Sequence, residues 1–316
     1  MENRLERLGL SLDSIAIFRG VMSDGVITRM RRLIAVLGSK DTGMKLRQYS
    51  SFVEALYRQT VNFSEYVLKT VFEDDNTFIA LTAQGKEIDT NILEAAENEL
   101  RILQELSQLT SDEMTEELGY EGALPQWRTC RIDFLAEYKW RRENIGHCGY
   151  GKYSRRTLFA LRGGVTVPVK CPEIPSLTEL SAGGMQAAAD NALDLLGGKG
   201  AQNVLLTGND KDITLAVRAA VSEFADRGLR LIEVQAEDMG LIPALADELC
   251  ADPLKFIIFI DDIPSSVLRA RPAALRAALR STALLKNAVI YAGCTDADAA
   301  AAGAEWQGIV ADVGAK

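Results

Sequence analysis

Two rhythms of apolar residues divide this chain. Up to about residue 145 the apolar positions recur three or four apart. Ile27, Met30, Ile34 and Leu37 predict a helix over Ile27–Leu37. A longer one is predicted over Phe52–Val71, carrying Leu56, Val61, Phe63, Val67 and Val71. Ile88–Leu109, with Ile92, Leu93, Leu100, Leu103 and Leu106, and Trp127–Trp140 complete the set. Such one-sided stripes pack against each other as a small helical bundle. Breaks fall at Gly38–Gly43, Asp74–Asn76 and Gly119–Pro125. From Asn203 the rhythm changes. Short, nearly continuous apolar runs at Asn203–Thr207, Leu229–Val234, Phe256–Asp261, Ala288–Ala292 and Gly308–Val313 predict strands. Helical periods over Ile213–Asp226, Ile242–Cys250 and Ala273–Leu284 separate them. Buried strands joined by helices imply a mostly parallel five-stranded sheet with helices on both faces.

Between these regions the pattern predicts a β-hairpin over Thr157–Lys170, turning at an Arg-Gly-Gly sequence, with Pro168 placing the second strand near an edge. A linker beginning at Pro172 leads into a helix over Met185–Leu196, capped by Thr178 or Ser181 and ended by Gly197–Gly200. The chain therefore divides into a helical domain over 1–145, a basic hinge and hairpin over 146–172, and an α/β core over 173–316. With 316 residues, each domain has room for its own core.

Charge changes this picture in one place. Lys139, Arg141, Arg142, Lys152, Arg155, Arg156, Arg162 and Lys170 stand against Glu143 alone between 139 and 170. The run reads as a solvated face or as an anion-contacting hinge. Over the whole chain the net charge is −9, which argues against broad nucleic-acid binding. No apolar run approaches the ~20 residues of a membrane span, and MENRLERLGL is no signal segment. Five cysteines without CxxC spacing suit free thiols in a cytoplasmic protein, and the single histidine, His147, lacks the companions of a zinc site.

The candidate chemistry lies at two strand ends. Asn203–Thr207, Gly208 and the following helix form strand, glycine turn and helix, the frame in which backbone N–H groups and a helix N-terminus face phosphate. The candidate cradle is Gly208, Asn209, Asp210, Lys211, Asp212, Ile213, Thr214 and Leu215. Counting from Gly208, the glycine, lysine and hydroxyl of a P-loop are replaced by Ile213, Thr214 and Leu215. Asp210 and Asp212 add charge that repels phosphate by ~1 kcal/mol each in water at ~4 Å, and ~4 at an effective dielectric of 20. The second strand end is Phe256–Asp262, a buried run closed by two acids. In a P-loop NTPase a carboxylate placed there, as Asp261 is, holds Mg²⁺.

GAQNVLLTG, RGLRLIEV at Arg227–Val234 and DPLKFIIFIDDI at Asp252–Ile263, in this order, resemble a bacterial family of AAA+ ATP-binding proteins. GYGKY, VPVKCPEIPSLTEL and the helix bearing Gln186 and Asn191 are also similar, so the resemblance runs from about Gly149 to Ala292. It implies a AAA+-like P-loop core and, with it, ATP and Mg²⁺ as cofactors. Gly208 matches the first P-loop glycine, Asp261 and Asp262 the Walker B pair, and Asn287–Ala292 the sensor strand, whose polar residue falls near Thr295. Gly-Lys-Ser/Thr has no match, no arginine follows Arg280, and the chain closes at Lys316 without the helical lid of the family.

The expectation is a hydrolysis-deficient pseudo-ATPase that serves as a scaffold, binding an unknown protein partner, with Asp261 and Asp262 as vestigial catalytic residues. A ring or other oligomer is permitted but not implied. Two alternatives stay open. One is a nucleotide-binding protein that uses Lys211 and an Asp261-bound Mg²⁺. The other is a phosphoacceptor module built on Asp261 or Asp262, with Asp210 and Asp212 beside them.

Overall fold

The computed structural model describes residues 4–170, 174, 183–264, 272–283, 285–295, 306 and 308–313. The expected caps Thr178 and Ser181 lie outside the described residues. The chain forms two compact units, Met1–Asn144 with Tyr150–Lys152, and Ile145–Gly149 with Tyr153–Lys316.

The first unit is helical. Its helices among the described residues are α1 (Arg4–Asp13), α2 (Gly25–Val36), α3 (Thr42–Tyr57), α4 (Phe63–Phe72), α5 (Thr77–Ala83), α6 (Thr90–Ser107), α7 (Ser111–Leu118) and α8 (Phe134–Glu143). Most begin on a side chain that accepts from an otherwise unpaired first-turn N–H: Asp24, Asp41, Asn62, Asn76, Asp89, Thr110 and Asp133. Thr110 does so within a capping box with Glu113.

Two sequence expectations fail here for one reason. Residues 61–63 pair with Arg128: Arg128 N–H donates to Val61 O at 2.8 Å, and Phe63 N–H donates to Arg128 O at 2.9 Å. That bridge divides the helix expected over Phe52–Val71, and Asn62 caps the second half. It also keeps Trp127 out of a helix, so α8 starts at Phe134. Trp127 instead donates its indole N–H to Leu109 O and packs edge-on against Phe52, 4.9 Å between ring centres. There its large ring is buried against Phe52 and Tyr49. In the same unit, buried Glu99 of α6 accepts from the N–H groups of Ala16, Ile17 and Phe18, which fixes the turn before α2.

The second unit contains the short helix α9 (Ile145–Cys148), strands β1 (Leu158–Arg162) and β2 (Val165–Pro168), α10 (Gly183–Leu196), β3 (Val204–Thr207), α11 (Asp210–Glu223) and β4 (Leu229–Gln235). It continues with α12 (Ile242–Leu249), β5 (Lys255–Asp261), α13 (Pro272–Ala283), β6 (Ala288–Cys294) and β7 (Ile309–Asp312). The strand order is β2-β1-β4-β5-β6-β3-β7, parallel except for the β1–β2 hairpin. The expected five strands are thus seven. The hairpin is no separate linker, because β1 pairs parallel with β4, Phe159 opposite Ile232. Tyr153, within the stretch expected to be a basic hinge, is buried against Phe159 and Phe256 and donates to Glu248 at 2.6 Å.

Side chains of β5 alternate between two cores. Ile257 and Phe259 pack with residues of α10 and α11, while Phe256, Ile258 and Ile260 pack with residues of α12 and α13. This is why β5 reads as an unbroken apolar run: both faces are covered. β3 lies between β6 and β7. After β3 the chain passes beyond β6 and β5 to β4, then returns through β5 and β6 to β7 on the other side. The direction of winding changes at β3, and in such sheets ligands bind outside the carboxyl ends of the strands at that point.

Candidate functional site at the carboxyl ends of β3 and β5

β3 is held in place from below. Asn191 of α10 uses its side-chain amide as a strand would, accepting from Gln202 N–H and donating to Gln202 O, both at 2.9 Å, and also donates to the Tyr291 hydroxyl at 3.1 Å. Asn203 accepts from Ile290 N–H through its side chain. These contacts fix where β3 delivers Gly208, whose φ of 138° lies where a side chain is strained.

Only Gly208 and Asn209 stand between β3 and α11. The helix begins at Asp210, three residues before the expected Ile213, so Asp210, Lys211, Asp212, Ile213, Thr214 and Leu215 form its first turns rather than a loop. The reason is local. Asn209 caps the helix, its side chain accepting from Lys211 N–H at 3.0 Å. Asp210 and Asp212 favour a helix N-terminus. Ile213 is buried among core residues of β3, β6 and α10, with Ala216 and Val217 continuing its apolar face.

Ile213 packs against β6. Its Cγ2 lies 3.3 Å from where a Cβ on Gly293 of β6 would stand. The next residue, Thr214, donates its hydroxyl to Asp261 Oδ1 at 3.0 Å. Counting from Gly208 had put Thr214 at the lysine position and Leu215 at the hydroxyl position. The geometry instead sets a hydroxyl beside the strand-end carboxylate one residue earlier, a relation that spacing alone conceals.

Around this pair the polar groups satisfy one another. Arg218, one turn further along α11, forms a two-pronged ion pair with Glu233 of β4, Nε to Oε1 at 2.6 Å and Nη2 to Oε2 at 3.0 Å. Burial holds the Asp261 carboxyl above the usual aspartate range. The Thr214 hydrogen bond and Arg218 oppose this, and Asp210 and Glu233 add to it. Asp262 takes a φ of 34°, the positive-φ non-glycine residue among those described, so the chain turns sharply after Asp261. Ile263 N–H then returns to Gly293 O at 2.9 Å. Thr295, the expected sensor position, follows directly after β6.

These residues fit a triphosphate poorly. The first-turn N–H of Lys211 is taken by Asn209 and that of Ile213 by Asn209 O. The exposed face of the turn carries Asp210 and Asp212 beside Lys211. A divalent cation fits better, since Thr214 and Asp261 offer two oxygens side by side. Among the described residues, however, no group of three or more His, Cys, Asp or Glu side chains is placed to hold a metal. An oxygen-bound Mg²⁺ would draw most of its six ligands from water. No helix among the described residues is long and apolar enough to cross a membrane.

A protein-family profile described as "Protein of unknown function (DUF815)" matches residues 155–295. The match runs from the β1–β2 hairpin to the end of β6 and includes Gly208, Thr214 and Asp261. Neither a curated protein nor a solved structure matches this chain.

Proposed function

We propose that this protein is a AAA+-like pseudo-ATPase, a P-loop-type sheet that keeps its architecture, has lost its grip on nucleotide, and acts as a scaffold that binds a protein partner. The observation that carries the reading is Ile213. With Thr214 beside Asp261, buried Ile213 stands where a phosphate-binding loop would carry its lysine, and α11 begins at Asp210 with only two residues between it and β3, which leaves a turn shorter than a P-loop. The acids of the first turn add repulsion, by ~1 kcal/mol per charge pair at ~4 Å in water. The order of apolar strands, the winding change at β3 and the carboxylate at the end of β5 support the P-loop comparison. The profile match supports only that residues 155–295 recur as a unit.

One observation favours a second reading. Thr214 and Asp261 stand as the hydroxyl and carboxylate that hold Mg²⁺ in P-loop NTPases. A protein using that pair would bind Mg-nucleotide weakly, with Lys211 as its added cation. Phosphate release and thermal shift separate the two. The scaffold reading predicts no phosphate release above blank and no change in melting temperature with millimolar Mg-ATP. A stabilisation that disappears in Asp261→Ala selects the second reading, and sustained phosphate release defeats the first.

A further inference from the structure

The helical unit contains an open groove of about 540 Å³ between α5, α6 and α8. Buried Phe78, Leu100 and Tyr138 form its floor, and half-buried Leu93 of α6 and Leu135 of α8 line its walls. Leu93, Glu97 and Leu100 recur four and three residues apart on α6, a stripe of about two turns, or roughly 10 Å at 1.5 Å per residue.

The α8 wall is cationic and one of its cations is fixed. Arg142 lies with its guanidinium carbon 4.3 Å above the centre of the Phe78 ring, and its Nε donates to Thr82 Oγ1 at 3.1 Å. Among the described residues it has no carboxylate partner within ion-pair distance, so its two Nη groups remain for a ligand. Lys139 stands one turn earlier on the same wall, exposed. Two acids share the rim. Glu97 is compensated by Arg101 at 3.3 Å, and Glu143 is exposed at the end of α8, where solvent and salt screen it. A guanidinium already stacked and anchored loses little freedom on meeting a carboxylate, and its planar fork suits a two-pronged bond.

We propose that this groove docks an amphipathic helix of a partner protein, with apolar side chains between Leu93 and Leu135 and an acidic side chain on Arg142. The assignment rests on the scaffold reading above and gives the partner its chemistry. A helix is the occupant because the groove is floored by apolar groups, has an apolar stripe two turns long on α6 and carries a fixed guanidinium beside it. These are the features of helix-in-groove recognition, read as anchors at i, i+3, i+4 and i+7.

The test is selection of displayed random peptides, about four helical turns long, on the full-length protein, followed by fluorescence polarisation of the enriched sequences. Those sequences should share a helical apolar stripe with one acidic residue. Replacing that acid by its amide should weaken binding about tenfold, the worth of one charge-assisted hydrogen bond, in a comparison that leaves the protein untouched. Arg142→Ala should weaken it by a similar factor, Arg142→Lys should recover only part, and Leu93→Asp should abolish it. The proposal is overturned if no sequence is enriched, or if enriched peptides ignore both the amide replacement and Arg142→Ala. It is equally overturned if phosphatidylglycerol vesicles, rather than peptides, bind in an Arg142-dependent way. Failure of the peptides alongside absent Mg-ATP binding removes the groove and leaves the scaffold reading. Peptide binding alongside ATP turnover does the reverse.

Discussion

Arg218 and Arg142 are each set by a neighbour, but to opposite ends. Arg218 in the sheet unit is clasped by Glu233, with the two side chains 26% and 14% exposed. Nearby, Thr214 closes on Asp261 and Asn209 on the Lys211 amide. Arg142 in the helical unit is stacked and anchored, yet keeps its two Nη groups without a carboxylate among the described residues. A polar constellation whose members satisfy each other stabilises a fold, because a stranded partner in a low-dielectric setting costs far more than the pair gains. One whose geometry is fixed but whose charge is unmet is prepared for a ligand. On this comparison the described polar side chains at the carboxyl end of the sheet, where open α/β sheets bind ligands, bond to one another. The less obvious helical groove carries the open valence.

The comparison is broken most severely at Ile213. Ile213→Gly removes a buried side chain from between β6 and α11 and places glycine in a helix. We expect a loss of about 4 kcal/mol, from the cavity and the helix penalty together, read as a fall in the urea midpoint. A loss under about 1 kcal/mol would mean that the side chain fills no closed space. Restoring Gly-Lys-Ser at 213–215 by substitution should therefore unseat the first turn of α11 rather than recover phosphate binding.

The two arginines give the next contrast. Arg218→Ala strands Glu233 beside Asp261 and should cost about 3 kcal/mol, the lower end for breaking a buried pair because this one is partly exposed. Arg142→Ala loses a partly exposed stacking contact and should cost about 1 kcal/mol or less in the same unfolding experiment. Equal losses would erase the distinction between a clasped and a waiting guanidinium.

The smallest effect is a matter of pH. Burial raises the Asp261 carboxyl above its unfolded range near ~3.9. The folded state therefore binds the proton more tightly than the unfolded one. This group favours folding most below the unfolded value, and that contribution fades as pH rises through the folded value. Asp261→Asn keeps an oxygen for the Thr214 hydroxyl and removes the charge. It should be slightly more stable than the parent at pH 7 and indistinguishable from it near pH 3. A variant less stable than the parent at neutral pH would show that the carboxylate charge is favourable where it stands.

The sheet was legible in the sequence because β5 is covered on both faces and so spells five apolar residues in a row, Phe256–Ile260, ending in acid. The hairpin was legible as a hairpin, through Gly163 and Gly164, but its membership of the sheet was not, since pairing of Phe159 with Ile232 is a long-range choice that local pattern does not encode. The same holds for the bridge from residues 61–63 to Arg128, which split one predicted helix and shortened another. At the site, periodicity extends as easily to Asp210 as to Ile213, and the Asn209 cap decides between them. The meeting of Thr214 with Asp261 was not legible either, because residue counting assumes a loop of fixed length and only two residues separate β3 from α11. The groove residues Leu93, Arg142 and Phe78 carry no motif. Only packing brings them together.

Calorimetric titration of Mg-ATP into the intact chain tests the central claim most directly, that the seat beneath Gly208 is closed by Ile213 and the Thr214–Asp261 pair. The prediction is no saturable heat up to millimolar nucleotide. A micromolar dissociation constant that is lost in both Thr214→Val and Asp261→Ala would contradict it.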